Sequence, residues 1–181
     1  MIATLFGRKR ISEEKLANQF VNTLLMLVHD GFPMVAEELN ESPEFATSPH
    51  IDPVEEGPFA LVVLAGNLLE APRWLESGQD RRLFSLAISK FCEAYGLRSS
   101  ELELEVQALQ QFMERVNQPS KNAVYAMSKT LFHKYDLLRY QGDYFRDLKA
   151  PNPIVLKRLN GLMGFFLWNW EEFCSEHRIT H

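Results

Sequence analysis

Cysteine is scarce in this sequence, which places only Cys92 and Cys174 in a chain of 181 residues. Both lie inside apolar, helix-like patterns rather than in the dense framework that stabilises small secreted proteins, so we expect no disulfide scaffold and reduced thiols in the cytoplasm. The pattern of residues 1–10 also favours the cytoplasm, because it does not resemble a secretory signal. The charged segment 12–15 follows their basic residues at once and leaves no apolar core for a secretory signal.

Long apolar runs are also missing. The most apolar stretch, 161–170, has about ten residues, whereas a helix that spans a bilayer needs roughly 20. Charged pairs at 157–158 and 171–172 flank this stretch closely. We therefore predict a buried core helix here and no transmembrane segment.

The sequence contains none of the short motifs that usually identify an enzyme. Gly-x-Ser-x-Gly, the Walker phosphate loop and the dinucleotide-binding Gly-x-Gly-x-x-Gly are absent, and so are His-Glu-x-x-His and Cys-x-x-Cys. Their absence favours binding over catalysis, and no cofactor is predicted. A small-molecule or metal-dependent enzyme is the alternative, since folding could bring Cys92 to His133, or Cys174 to His29, in a pocket among the helices.

Positive charge is too sparse for a nucleic-acid-binding surface, because the formal net charge is -5. The segment 91–106, FCEAYGLRSSELELEV, nevertheless resembles the generic helix-turn-helix pattern, with Gly96 at the turn and Leu102 and Val106 as buried positions. Its second helix carries three glutamates: Glu101, Glu103 and Glu105. Because these carboxylates repel phosphates, we expect a plain helical corner, with a nucleic-acid binder as the lesser alternative.

Apolar residues recur at helical spacing along most of the chain, which predicts an all-α fold. We expect one domain over 1–181, a bundle of six or seven helices with 59–71 and 154–174 at its centre. The predicted helices are 13–30, a short one over 33–39, 59–71, 80–95, one from Ser99 or Ser100 to near Pro119, one from Ser120 to Leu138, a short one over 143–149, and 153–176.

Residues 40–58 contain four prolines and little periodicity, which predicts one long loop. Over 37–56 the chain carries seven carboxylates and no lysine or arginine, whereas 121–158 carries eight Lys and Arg against three Asp. We expect the basic tract to form a solvated helix face. Two alternatives are open: Tyr135 and Arg139 belong to a site for an anionic ligand, or the tract docks on the acidic loop of the same or a second copy.

Aromatic residues are densest in the segment GFFLWNWEEF at 164–173, where they cover more than one face of a helix. Such a helix must be enclosed by neighbouring helices or by a partner chain. We expect burial within the monomer, with a dimer interface or an apolar ligand pocket as alternatives. The candidate interaction or pocket residues are Phe165, Trp168, Trp170, Tyr135 and Arg139.

The end of the sequence offers a weak candidate for a metal site. Cys174, His177 and His181 are spaced so that they would share one helical face. No fourth ligand is specified, and chain ends commonly fray. We therefore favour a buried Cys174 and solvated histidines over a metal centre.

Taken together, these patterns predict a cytoplasmic helical binding or adaptor module, with a homodimer as one expected form. The enzyme alternative predicts a pocket in which several of the histidines and cysteines converge.

Overall fold

The fold is all-α, as the apolar spacing predicts. The computed structural model describes residues 7–118 and 122–180, and the buried apolar residues within them form one hydrophobic core cluster. Short 3-10 turns lie at 71–73, 137–140 and 164–166. The other elements of these ranges are β1 (Lys9–Ser12), α1 (Glu13–Asn40), α2 (Gly57–Glu70), α3 (Gln79–Tyr95), α4 (Ser99–Val116), α5 (Ala123–Lys134), α6 (Asp143–Asp147), α7 (Pro153–Met163), α8 (Trp170–Glu176) and β2 (His177–Thr180).

Helix α2 lies at the centre of the bundle. Its consecutive residues from Phe59 to Leu68 are all buried, because α1, α4 and α5 pack against it on different sides. A Cβ at Gly66 would lie 2.5 Å from the Met127 sulfur, so glycine at this position allows α5 to approach closely. Within the described ranges, no helix combines the length and the apolar character that crossing a bilayer requires.

Helix α1 is longer than the sequence indicates. The Ser12 hydroxyl caps it by accepting a hydrogen bond from the Lys15 amide at 3.3 Å. The predicted stop at 30–31 and the separate helix from Pro33 are wrong, because α1 continues through Pro33 to Asn40. The proline removes only one backbone N–H, and the buried stripe continues past it to Leu39, so packing holds the helix together.

Helix α5 is shorter than predicted. It begins after Asn122, whose side chain accepts a hydrogen bond from the Tyr125 amide, and it ends at Lys134 instead of Leu138. Asp136 adopts a left-handed backbone with φ of 49°, which an α-helix cannot accommodate, and a 3-10 turn follows. The predicted cap Ser120 lies outside the described residues.

The acidic loop and the basic tract meet within one copy of the chain, as one of the two docking alternatives anticipates. Arg158 on α7 lies 2.9 Å from the Glu44 carboxylate and 3.6 Å from that of Glu38. The loop backbone is also attached, because the Ala46 amide donates a hydrogen bond to the Tyr140 carbonyl at 2.8 Å. The first part of the loop is therefore fixed against the second half of the bundle, while Ile51 is held by the Asn40 side chain at the end of α1.

Strands β1 and β2 form a parallel pair that the sequence analysis does not predict. Ile11 pairs with Ile179, and the Thr180 hydroxyl donates a hydrogen bond to the Ile11 carbonyl at 3.3 Å. Each strand has four residues, which is too short for a period-two pattern to be recognised.

Candidate ligand-binding site

The last predicted helix, 153–176, is interrupted, and the interruption creates the most distinctive site of the molecule. After α7 and a 3-10 turn, Leu167 is extended with φ of -85° and ψ of 133°, and the chain becomes helical again at Trp170. The prediction of one continuous helix is therefore wrong. Two features accompany the break: Asn169 caps α8 locally by accepting a hydrogen bond from the Glu172 amide, and a distant residue of α2 binds the extended segment.

That contact is made by Asn67, a polar residue of α2 that is only 1% exposed. Its amide nitrogen donates to the Phe166 carbonyl at 2.8 Å, and its side-chain oxygen accepts from the Trp168 amide at 2.7 Å. Its own backbone carbonyl accepts from the Trp170 indole nitrogen at 3.4 Å. Asn67 thus supplies hydrogen bonds that a continuous helix would have formed internally.

All three tryptophans of the chain line one open cavity of about 400 Å³ beside this segment. Trp170 is 3% exposed and forms a buried part of the wall, while Trp74, on the turn after α2, is 42% exposed. Trp168 packs edge-on against Trp170, with ring centroids 6.1 Å apart. The other lining residues are Asn67, Glu70, Ala123, Gly164, Leu167, Asn169 and Glu171.

The charge in this cavity is negative. Glu70 is paired with Arg73 at 2.7 Å, whereas Glu171 forms no ion pair with any described residue. Among the described residues that line the cavity there is no lysine, arginine or histidine. Aromatic faces beside carboxylates attract organic cations, because the ring quadrupole and the carboxylate charge act in the same direction.

The other candidate residues lie away from this cavity. Phe165 is 74% exposed, and Arg139 is exposed beside Asp136 at 3.5 Å. Tyr135 is half-buried and stacks on Phe32, with ring centroids 6.4 Å apart. The structure therefore unites Trp168 and Trp170 in one site and leaves Phe165, Tyr135 and Arg139 separate from it.

The proposed metal-ligand spacing does not produce a shared helical face. Helix α8 ends at Glu176, so His177 is in a strand, where its ring stacks on Phe173 with Nδ1 3.2 Å from the Phe173 carbonyl. Burial raises the pKa of the Cys174 thiol, which disfavours a thiolate ligand. His181 lies outside the described residues, and within them no group of three His, Cys, Asp or Glu could hold a metal ion.

The remaining histidines and Cys92 are dispersed. His29 and His133 line two different cavities, and Cys92 is buried in the core. The segment 91–106 forms an αα-corner in which Gly96 is left-handed with φ of 65°, while Leu102 and Val106 are buried as the pattern requires.

A hydrogen-bonded cluster joins the end of the acidic loop to two helices. The Glu56 carboxylate accepts from the Tyr95 hydroxyl at 3.0 Å and lies 3.3 Å from Nδ1 of His29. Burial, together with the hydrogen bond and charge of Glu56, raises the pKa of Tyr95. Burial also raises the pKa of Tyr135, opposed in part by the backbone amide of Phe59.

These two tyrosines predict a loss of stability in alkali. A phenol whose pKa is raised by folding keeps its proton in the folded state at a pH where the unfolded chain has lost it. The free energy of unfolding is therefore constant below about pH 10 with respect to these groups and falls as the pH rises further. Urea denaturation between about pH 8 and 11 measures how steeply the free energy of unfolding falls with pH. Tyr95→Phe should make this fall less steep. An unchanged slope would contradict the assignment.

Comparison with protein-family models, with curated proteins and with solved structures found no match for the chain. The fold and the site therefore define the class of protein by themselves: an all-α bundle with an aromatic, acidic cavity beside an interrupted helix.

Proposed function

We propose that this protein binds an organic cation, of the alkylammonium class, in the cavity lined by Trp74, Trp168 and Trp170. The observation that carries the proposal is the collection of all three tryptophans of the chain around one cavity, together with Glu70 and Glu171. An alkylammonium group presents apolar C–H surface and positive charge at once, which suits such a lining.

The physical chemistry supports a binding role over a catalytic one. The lining offers no serine, cysteine, histidine or lysine among the described residues, and of its two carboxylates Glu70 is paired with Arg73, so the set of groups suits binding better than covalent catalysis. Each cation–π contact contributes about 0.5 to 2 kcal/mol, depending on how far the cation is desolvated. The accessible surfaces of Trp74 and Trp168, together with the Glu171 carboxylate, which pairs with no described residue, support a moderate affinity, and Trp170 completes the apolar wall behind them.

Choline and its neutral carbon analogue, in which a tert-butyl group replaces the trimethylammonium group, form a matched pair of probes. Because every tryptophan of the chain lines the cavity, intrinsic fluorescence reports on it directly. We expect choline to perturb the emission saturably and the neutral analogue to bind at least about tenfold more weakly, since it lacks the charge. Equal responses to the two probes, or none to either, would overturn the proposal.

Substitutions locate the binding. By calorimetry, Trp74→Ala and Glu171→Gln should each weaken choline binding by about tenfold, since each removes one attractive contact. Phe165→Ala, which removes an exposed aromatic ring outside the cavity, should leave the affinity unchanged. Self-association through Phe165, an adaptor role and a cytoplasmic location stay predictions.

A further inference from the structure

A second cavity adjoins the tryptophan-lined one. It has a volume of about 270 Å³ and shares three lining residues with the first: Leu167, Trp168 and Asn169. The extended segment therefore borders a cavity on each of two sides. The remaining lining of the second cavity is Gln19, Thr23, Leu27, Glu172, Phe173, Glu176 and His177.

The second cavity repeats the chemistry of the first. Its aromatic surface comes from Trp168 and Phe173, whose ring centroids are 5.4 Å apart. Its charge comes from two carboxylates, and no lysine or arginine is present among the described lining residues. His177 also lines this cavity, where its ring stacks on Phe173 with centroids 4.5 Å apart and its Nδ1 lies 3.2 Å from the Phe173 carbonyl.

Each of the two cavities contains one carboxylate that no described residue pairs. Glu172 is occupied, since it accepts a hydrogen bond from the Asn169 side chain at 2.8 Å. Glu171 in the first cavity and Glu176 in the second form no ion pair or hydrogen bond through their carboxylates with described residues. Both belong to α8, where a rise of about 1.5 Å per residue separates them by about 7.5 Å along the helix axis.

We infer that the natural ligand is a linear diamine or polyamine, with one ammonium group in each cavity and its methylene chain lying across Leu167 and Trp168. This inference rests on the proposed function, because the first ammonium group occupies the tryptophan-lined cavity. The shared residues present apolar surface between two negative regions, which matches the charge–methylene–charge pattern of such a molecule. A ligand with two tethered charges gains affinity because its second contact is intramolecular.

Calorimetric titrations with putrescine, cadaverine and n-butylamine test this directly. Butylamine has the alkyl chain of putrescine and one of its two charges. We expect at least one diamine to bind tenfold or more tightly than butylamine, with a stoichiometry of one. A stoichiometry of two for the diamine, or affinities equal to that of butylamine, would overturn the bridging arrangement.

Charge-removing variants separate this inference from the proposed function. Glu176→Gln should reduce diamine binding to the level of butylamine and leave butylamine itself unchanged, whereas Glu171→Gln should weaken both. Glu114→Gln removes the same charge from an exposed position on α4 and is the control for general electrostatics. If Glu176→Gln has no effect on the diamines while butylamine still binds, the bridging fails and the cation site stands. If neither the amines nor choline binds, both proposals fail, and if choline binds but no diamine does, only the bridging inference fails.

Discussion

Replacing Asn67 by leucine should lower the free energy of unfolding by about 4 kcal/mol. The substitution conserves volume approximately but leaves the Phe166 carbonyl and the Trp168 amide without their partners at 2.8 and 2.7 Å. A buried polar group that loses its only partner costs about 1 to 3 kcal/mol, and this substitution affects two. Urea denaturation followed by circular dichroism measures the loss, and tryptophan emission should change with it, because Asn67 fixes the path of 167–169.

Asn160 provides the matched control. Its side-chain oxygen is buried without a hydrogen-bond partner among the described residues, so Asn160→Leu removes an unsatisfied group instead of creating one. We expect this variant to differ from the parent protein by less than about 1 kcal/mol. Equal losses for the two leucine variants would show that the hydrogen bonds of Asn67 are not the source of the effect.

Gly31→Ala in α1 should lower the free energy of unfolding by about 2 kcal/mol. A Cβ at this position would lie 2.7 Å from Cζ and 2.8 Å from Cε1 of Phe166. The Phe166 ring cannot easily retreat, because it packs edge-on against Phe59 with centroids 4.8 Å apart. The steric cost therefore exceeds the gain of about 1 kcal/mol that alanine usually brings to a helix interior. Thermal or urea denaturation measures the result.

Gly161→Ala on α7 is the corresponding control. A Cβ built at Gly161 meets no heavy atom within 4 Å outside the backbone of its own helix. Alanine should therefore act only through its higher helix propensity and stabilise the protein by about 0.5 to 1 kcal/mol. The two variants exchange the same residue types in helices, and they should shift stability in opposite directions. A stabilising Gly31→Ala would mean that the Phe166 ring moves freely.

The elements that sequence analysis predicts well are those whose signal is local. In α3, the stripe from Leu83 to Phe91 and the left-handed Gly96 after it define the helix and its end. In α4, Leu102, Val106 and Met113 are buried at the spacing that the sequence shows. Both helices carry an apolar period that does not depend on the rest of the chain, and in α3 Gly96 marks the end as well, whereas α4 has Arg98 and not a serine at its N-cap.

The elements that it predicts wrongly depend on contacts between distant residues. Pro33 indicates a helix start when read alone, but burial of Phe32 and Val35 on the same face holds α1 continuous. The segment 153–176 looks like one helix around its apolar run, and the hydrogen bonds that hold its extended part at 167–169 come from Asn67, about a hundred residues earlier. Pairing of β1 with β2 likewise joins opposite ends of the sequence.

Sequence reasoning finds only part of the lining of the proposed site. Dense aromatic residues that cover more than one helix face single out Trp168 and Trp170, and both line the cavity. The same reasoning does not single out Trp74 or Asn67. Asn67 had a usable signal, since it is the one hydrogen-bonding side chain in the apolar run 59–69, and a buried amide requires partners. Trp74 has no such signal, because it and Trp168 line the same cavity only after residues about a hundred positions apart have packed together.

The pairing of β1 with β2 has a mechanical consequence. The strands run parallel and lie near opposite ends of the described chain, so tension that pulls Lys9 and Thr180 apart acts along both strands in opposite directions. In this geometry the evenly spaced rungs between the strands carry the force simultaneously and in shear, instead of separating one after another. We therefore expect this short strand pair to resist a force that stretches the chain, and its hydrogen bonds must break before that force reaches the helices.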